Sequence, residues 1–195
     1  GVYSGSERMY DITEKGLEKR TFLQGHAPLL MGKELSAYAA AGIESDHESE
    51  TAEEIREKLR RGMHINLRAS SLVNHMDQLA EGICQIPYHD FISVCTDDVH
   101  AGDLLTLGHV NKVVSYGIEH GMDPVDVIRM ATLNAAREYG FKDLGALAPG
   151  YAADMQLVKD LDGGRPERVW IGGKLAAEKG AYVGADREEP LSFPN

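Results

Sequence analysis

Three stretches of the sequence place a histidine or an aspartate directly after a short apolar or β-branched run. They are Thr21–His26 (TFLQGH), Ile43–His47 (IESDH) and Phe91–Asp97 (FISVCTD). In a barrel of parallel strands, the carboxyl ends of the strands form the face where chemistry takes place. Imidazole and carboxylate groups are common metal ligands. We therefore predict that His26, His47 and Asp97 converge on a divalent metal ion.

Each of these residues also has a structural interpretation. Asp97 and Asp98 fit a polar turn that caps a helix, His26 fits a histidine before a turn at Pro28, and His47 fits a solvated loop. Arg68, at the end of another strand-like run, fits a salt bridge. The recurrence of such residues at successive strand ends favours the metal site. The histidines assigned to structural or surface positions are His64, His75, His89, His109 and His120.

Composition limits the classes of partner. The 195 residues carry a formal net charge of -11, which disfavours nucleic acids and anionic membranes as partners. The two cysteines, Cys84 and Cys95, have neither the spacing of a zinc site nor that of a disulfide framework. The sequence has no signal peptide and no apolar run long enough to cross a bilayer. We therefore expect a cytoplasmic protein without a membrane anchor.

The chain alternates strand and helix four times, which predicts an α/β fold with parallel strands. Thr51 and Glu54 have capping-box spacing before a helix with Ile55 in its buried stripe, and Gly62 ends that helix. Ser70 or Ser71 is expected to cap a helix whose inward face includes Leu72. Leu104–His120 is expected to form one helix, and a second helix starts at Asp123-Pro124. After Gly145 the composition changes to short strands with a Gly172-Gly173 hairpin turn, and we expect an extended tail at Arg187–Asn195.

Several motifs resemble the adenine deaminase family of the amidohydrolase superfamily, which consists of metal-dependent (β/α)8 barrels. They are Gly25-His26-Ala27-Pro28, the run from Ala41 to Glu48 (AGIESDHE), Thr96-Asp97-Asp98, the run from Met130 to Ala136 (MATLNAA) and the run from Gly145 to Asp154 (GALAPGYAAD). The resemblance implies that residues 1–145 are the second half of a (β/α)8 TIM-type barrel, with strands 5–8 and their helices. Residues 146–195 would then form a small β-sandwich segment and tail.

The resemblance also implies roles for individual residues. His26 and His47 are similar to the family's metal ligands on strands 5 and 6, and Asp97 is similar to the strand 8 aspartate that binds metal and relays a proton. Asp98, His100 and Glu48 are assigned to the substrate-binding edge, where His100 and Glu48 orient neighbouring ligands. The implied cofactor is Mn²⁺ or Fe²⁺, with Zn²⁺ as an alternative, in a binuclear site. The implied reaction is the hydrolytic deamination of adenine to hypoxanthine and ammonia in purine salvage.

Two features of the family are absent from this sequence. None of the eight histidines forms a His-x-His pair, and no glutamate matches the metal-bridging residue of strand 4. We therefore expect a partial enzyme that is inactive alone and that forms a homo-oligomer or pairs with a missing N-terminal half. One alternative is a related amidohydrolase that acts on a cyclic amide, as hydantoinases and dihydroorotases do. Another is a non-catalytic half-barrel that serves as an interaction module.

Overall fold

The computed structural model describes residues 1–19 and 22–184, which contain a parallel and an antiparallel sheet of four strands each. The parallel sheet consists, in spatial order, of β1 (Gln24–Gly25), β2 (Ser45–Asp46), β3 (His64–Arg68) and β4 (Ile92–Cys95). The predicted parallel strands are therefore confirmed. The predicted strand start at Thr21 and the tail Arg187–Asn195 lie outside the described residues.

One helix precedes the parallel strands, and the others separate the strands or follow the last of them. They are α1 (Glu7–Glu18), α2 (Gly32–Ala40), α3 (Ala52–Leu59), α4 (Met76–Cys84), α5 (Ala101–Thr106), α6 (Val110–Glu119), α7 (Pro124–Arg129) and α8 (Ala135–Glu138), with a π-helical segment at Met130–Asn134 between the last two. Within the described residues, no helix is long and apolar enough to span a membrane.

Helix α3 forms because its local sequence encodes both of its ends. Thr51 has an extended backbone and its hydroxyl accepts a hydrogen bond from the Glu54 N–H at 3.2 Å, as predicted for an N-cap. Gly62 adopts φ +76°, which suits the turn after the helix. The predicted capping box is only half formed, because the Glu54 carboxylate accepts from the backbone N–H groups of Leu29 and Glu50 instead.

The two faces of the parallel sheet differ in polarity. Successive strand residues point to opposite faces. The apolar members of β3 and β4 are buried in the main core together with side chains of α4 and α6; they are Ile65, Leu67, Ile92 and Val94. The alternate members form a polar face, and they are His64, Asn66, Arg68 and Ser93. This division leaves the polar face free to carry a functional site.

Helix α8 covers the polar face near the amino ends of the strands. The Asn66 side-chain amide donates to the Glu138 carboxylate at 2.7 Å, and the Gln24 amide donates to the Tyr139 hydroxyl at 2.6 Å. His64 lies 2.7 Å from the Ser93 hydroxyl and 3.3 Å from Glu138. Because α8 contacts the amino ends of the strands, the carboxyl ends are the accessible end of the polar face.

Two helix predictions were wrong. Leu72 does not face inward, because α4 begins at Met76 and the Leu72 side chain is 83% exposed. The Ser70 hydroxyl accepts from the N–H groups of Leu72 and Val73 and so forms a turn before the helix. The predicted single helix Leu104–His120 is divided into α5 and α6, because Gly108 between them adopts φ +104°.

The antiparallel sheet follows the change in composition at Gly145. Its strands are β5 (Met155–Leu157), β6 (Arg168–Ile171), β7 (Lys174–Glu178) and β8 (Ala181–Tyr182). Gly172 and Gly173 both have positive φ, at 55° and 76°, and form the predicted hairpin turn between β6 and β7. The described part of this region is a single sheet. The predicted β-sandwich and the division at residue 145 both stay predictions.

Candidate metal centre

The imidazoles of His26 and His47 meet at the carboxyl ends of β1 and β2. The register pairs Gly25 with Asp46, so the residues that follow them, His26 and His47, lie side by side. Their ring centroids are 4.5 Å apart and the rings are nearly perpendicular, at 88°. Parallel pairing thus brings together two side chains that are 21 positions apart in the sequence.

Glu48 completes a group of three potential metal ligands. One ligand atom from each of His26, His47 and Glu48 lies within 4.8 Å of the other two. Among the described residues, no other group of three or more histidine, cysteine, aspartate or glutamate side chains brings its ligand atoms this close together. The sequence placed Glu48 at the substrate-binding edge, and the geometry additionally offers it as a ligand.

Asp97 lies at the same end of the sheet, but its carboxylate is bound to Arg68. Arg68 Nη1 donates to Asp97 Oδ2 at 2.5 Å. This hydrogen bond is the main reason that the pKa of Asp97 lies below its usual value, and the positive potential of Arg68, His47 and His26 acts in the same direction. Asp97 also adopts φ +58°, a left-handed conformation that costs energy in a residue other than glycine. Its predicted role as a metal ligand stays a prediction.

Arg68 joins the two carboxylates. Its Nη1 and Nη2 atoms donate to the two oxygens of Glu48 at 2.7 and 3.0 Å, in addition to the contact with Asp97. The strand-end salt bridge expected of Arg68 is therefore present. The Arg68 side chain is only 12% exposed, and its buried Nε atom has no hydrogen-bond partner among the described residues.

Asp98 and His100 have local contacts in the loop after β4. The Asp98 carbonyl accepts from the Ser71 N–H at 2.9 Å, and its side chain is exposed. His100 is the N-cap of α5, where its Nδ1 atom accepts from the Gly102 N–H at 3.1 Å. The substrate-binding roles of both residues stay predictions, and the cap gives His100 a structural role as well.

Sequence reasoning missed a buried cluster of charged residues beside the two histidines. Lys58, Asp46 and Glu54 are fully buried, and the Lys58 ammonium contacts both carboxylates. Burial raises the pKa of Asp46, but the charge and hydrogen bond of Lys58 together with the hydrogen bonds from Ser49 and Ala27 outweigh burial, so that this pKa lies below its ordinary value. The i,i+4 spacing of Glu54 and Lys58 was visible in the sequence, but that spacing usually indicates an exposed pair.

The chemistry of these donors fits a first-row divalent cation. Two imidazoles with a carboxylate are a common donor set for such ions, and all three groups retain some exposure to solvent. Arg68 supplies a positive charge to Glu48 and Asp97. Residues that fit a metal ion thus lie at the carboxyl ends of parallel strands, where active sites of such folds occur.

This chain belongs to the amidohydrolase family, whose sequence model matches residues 3–176. The family is generally metal-dependent, in agreement with the donor set formed by His26, His47 and Glu48.

Curated relatives of high similarity are named adenine deaminase. The protein from Kosmotoga olearia is 44% identical over 161 residues, which is 83% of this chain and 28% of that protein. The protein from Nitratidesulfovibrio vulgaris is 40% identical over 183 residues, which is 94% of this chain and 32% of that protein. The chain therefore spans about a third or less of the length of these relatives.

Solved structures share the fold at low sequence identity. Molinate hydrolase has a TM-score of 0.59 at 16% identity, covering 96% of this chain and 50% of that chain. The β-aspartyl dipeptidase of Fervidobacterium islandicum AW-1 has a TM-score of 0.55 at 22% identity, covering 70% of this chain and 37% of that chain. These similarities indicate an α/β amidohydrolase fold resembling a TIM barrel.

Proposed function

We propose that this chain carries part of the metal and catalytic centre of a cytoplasmic enzyme that deaminates adenine to hypoxanthine and ammonia in purine salvage. The observation that carries the proposal is the convergence of His26, His47 and Glu48 at adjacent strand ends. The curated adenine deaminases that match most of this chain support adenine as the substrate.

In this proposal, His26, His47 and Glu48 hold a divalent ion, with Mn²⁺ or Fe²⁺ as the expected metal and Zn²⁺ as the alternative. A bound ion of this kind lowers the pKa of its water toward about 7 and so provides hydroxide at neutral pH. Water attacks the ring carbon that bears the amino group. A carbon–oxygen bond then replaces the carbon–nitrogen bond, and ammonia leaves.

Asp97 is the proposed acid–base residue. Its carboxylate accepts the proton of the attacking water and returns it to a ring nitrogen or to the departing ammonia. The Arg68 contact favours the ionised form of Asp97, which is the form that accepts a proton. Asp98 and His100 are proposed to bind the purine edge, because both follow Asp97 in the exposed loop after β4.

We further propose that the parallel sheet is the second half of a (β/α)8 barrel and that the site is completed by ligands outside this sequence. Among the described residues, β1 and β4 each have a strand neighbour on one side only. Unpaired strand edges favour association with further strands. The remainder of the enzyme, or a second copy of this chain, would cover these edges and supply the other ligands of a binuclear site.

The test is an adenine assay on the complete protein that contains this sequence, in its Mn²⁺- and Fe²⁺-loaded forms. We expect hypoxanthine and ammonia in equal amounts, and we expect His47→Asn to reduce kcat at least about 100-fold. His120→Asn, at the end of α6, is the matched control and should retain activity. Turnover of a cyclic amide but not of adenine by the metal-loaded enzyme would instead support a hydantoinase-like or dihydroorotase-like activity.

A further inference from the structure

The ammonium of Lys58 lies between the two loops that carry the histidines. Lys58 is fully buried on α3, and its Nζ atom donates to the Ala27 carbonyl at 2.6 Å and to Asp46 Oδ2 at 2.8 Å. Ala27 is the residue after His26, and Asp46 is the residue before His47. A single side chain thus contacts the immediate neighbours of both imidazoles.

Further hydrogen bonds within the cluster fix the same two loops. The Ala27 N–H donates to Asp46 Oδ1 at 2.7 Å, which joins the loops directly. The Ser49 hydroxyl donates to Asp46 Oδ2 at 2.7 Å and accepts from Lys58 at 3.0 Å. With every member buried and hydrogen-bonded, small changes of position are energetically costly.

Glu54 extends the cluster along both loops. Its carboxylate accepts from Lys58, from the Leu29 N–H at 2.7 Å and from the Glu50 N–H at 2.9 Å. Leu29 has φ +57°, a conformation that a leucine keeps only when its surroundings enforce it. The hydrogen bond to Glu54 is one such restraint on the loop after β1.

We propose that Lys58 is a positioning residue for the metal site: its ammonium joins the loop after β1 to the loop after β2 and thereby sets the separation of His26 and His47. This inference rests on the proposed metal site. Lys58 is not one of the proposed ligands, and it acts through the backbone that carries the two imidazoles. Partners that orient ligands from behind typically change metal affinity by about 10- to 100-fold.

The first experiment needs no metal. Hydrogen exchange of the full chain is compared between the wild type and Lys58→Met. The amides of Ala27, Leu29 and Glu50 donate to carboxylates of the cluster, and we expect them to exchange at least about 10-fold faster in the variant. Amides of β3 and β4 should keep their protection. Unchanged exchange at these three amides would overturn the inference.

The second experiment measures Co²⁺ binding to the same proteins from the ligand-field absorption spectrum and by calorimetry. We expect Lys58→Met to weaken Co²⁺ binding at least about 10-fold and to alter the spectrum. Arg61→Met removes a cation one residue beyond the C-cap of the same helix, and Ile83→Ala weakens the main core. Both controls should bind Co²⁺ within about twofold of the wild type, because Arg61 contacts residues of α2 and α3 and Ile83 belongs to the main core.

A second variant tests the same inference in case Lys58→Met does not fold. In Lys58→Met/Asp46→Asn/Glu54→Gln, the three charges are removed together, which avoids a buried charge without a partner. It should fold and still bind Co²⁺ at least about 10-fold more weakly, because the contact with the Ala27 carbonyl is lost. Binding equal to that of the wild type in a folded variant would overturn the inference. Failure of the wild type to bind Co²⁺ would contradict the proposed metal site, and hydrogen exchange alone would then decide the role of Lys58.

Discussion

Arg68 balances the charge at the carboxyl ends of the parallel strands. It is the cation that contacts both Glu48 and Asp97, and its side chain is nearly buried. In the absence of a metal ion, two carboxylates close to one another would repel. Arg68 therefore stabilises the arrangement in which these carboxylates share one end of the sheet.

We predict that Arg68→Met lowers the free energy of unfolding of the metal-free chain by about 2–4 kcal/mol, because it leaves Glu48 and Asp97 without their cation. Arg168→Met is a matched control, since Arg168 pairs with Glu178 at 2.7 Å but is 50% exposed. Exposed pairs contribute about 1 kcal/mol or less. Urea unfolding measures both variants, and equal losses would contradict the prediction.

His64 makes the stability of the chain depend on pH. Burial lowers the pKa of this histidine from 6.5 to about 4. Between these values the unfolded chain binds a proton that the folded chain does not. The contribution of neutral His64 to the free energy of unfolding is therefore complete above pH 6.5 and is lost as the pH falls toward 4. The pKa of Glu138, raised by burial, acts in the opposite direction because the folded chain binds that proton more strongly.

We predict that titration of His64 lowers the unfolding free energy of the wild type by about 3 kcal/mol between pH 7 and pH 4, and that His64→Gln does not show this decrease. Glutamine retains a donor for Ser93 and Glu138 but does not titrate. Urea unfolding at several pH values should show a flatter profile for His64→Gln than for the wild type. A wild-type profile in His64→Gln would show that His64 is not the group responsible.

At the scale of elements, local signals predicted most boundaries. Thr51 and Gly62 fix the ends of α3, and Asp123 and Pro124 fix the start of α7, because a cap depends on neighbouring residues only. The break at Gly108 was missed because Leu104 and Leu107 continue the apolar spacing of α6, although both are about half exposed. Apolar spacing alone does not distinguish a residue that faces the core from one that faces solvent.

The π-helical segment before α8 contains a buried asparagine that ties the helix to β4. Asn134 is fully buried, and its Nδ2 atom donates to the carbonyls of His89 at 2.7 Å and Ile92 at 2.8 Å. These bonds reach the turn before β4 and the first residue of that strand. Single-turn π-helical segments often occur at functional positions.

We predict that Asn134→Ala destabilises the chain by about 1–3 kcal/mol, because it removes the side-chain donor to the buried Ile92 carbonyl and leaves the His89 carbonyl with the Ile92 N–H alone. Thr132→Ala, two residues earlier, is the control; its hydroxyl donates to the Ile128 carbonyl of the same helix at 2.7 Å and is exposed. The control should change stability by less than about 0.5 kcal/mol. Thermal and urea unfolding measure the difference, and a similar small loss in both variants would refute the role of Asn134.

At the scale of the whole molecule, the strand ends were predictable and their contacts were not. His26, His47 and Asp97 were identified because each follows a strand-like run, and His26 and His47 do meet. The Arg68–Asp97 bond and the Lys58 cluster join residues from different βα units. Such contacts depend on strand register and helix packing, which no single stretch of sequence encodes.

We predict that this 195-residue chain alone does not deaminate adenine at a measurable rate, because two histidines and one glutamate are too few ligands for a binuclear site. The assay compares the purified chain with the complete protein at equal metal loading, and follows hypoxanthine formation. Sedimentation establishes whether the chain is a monomer in the assay. Turnover by a monomer comparable to that of the complete protein would contradict the prediction.

Among the described residues, the hydrogen-bond partners of the Lys58 ammonium precede it in the chain, at separations of 31, 12, 9 and 4 residues. Contacts of short sequence separation form readily, because little loop-closure entropy opposes them. During synthesis, Lys58 and the two imidazoles that precede it emerge from the ribosome before β3 and β4 do. We therefore expect the histidine pair to assemble early in folding, ahead of Arg68 and Asp97, and pulse-labelled hydrogen exchange during refolding would reveal this order.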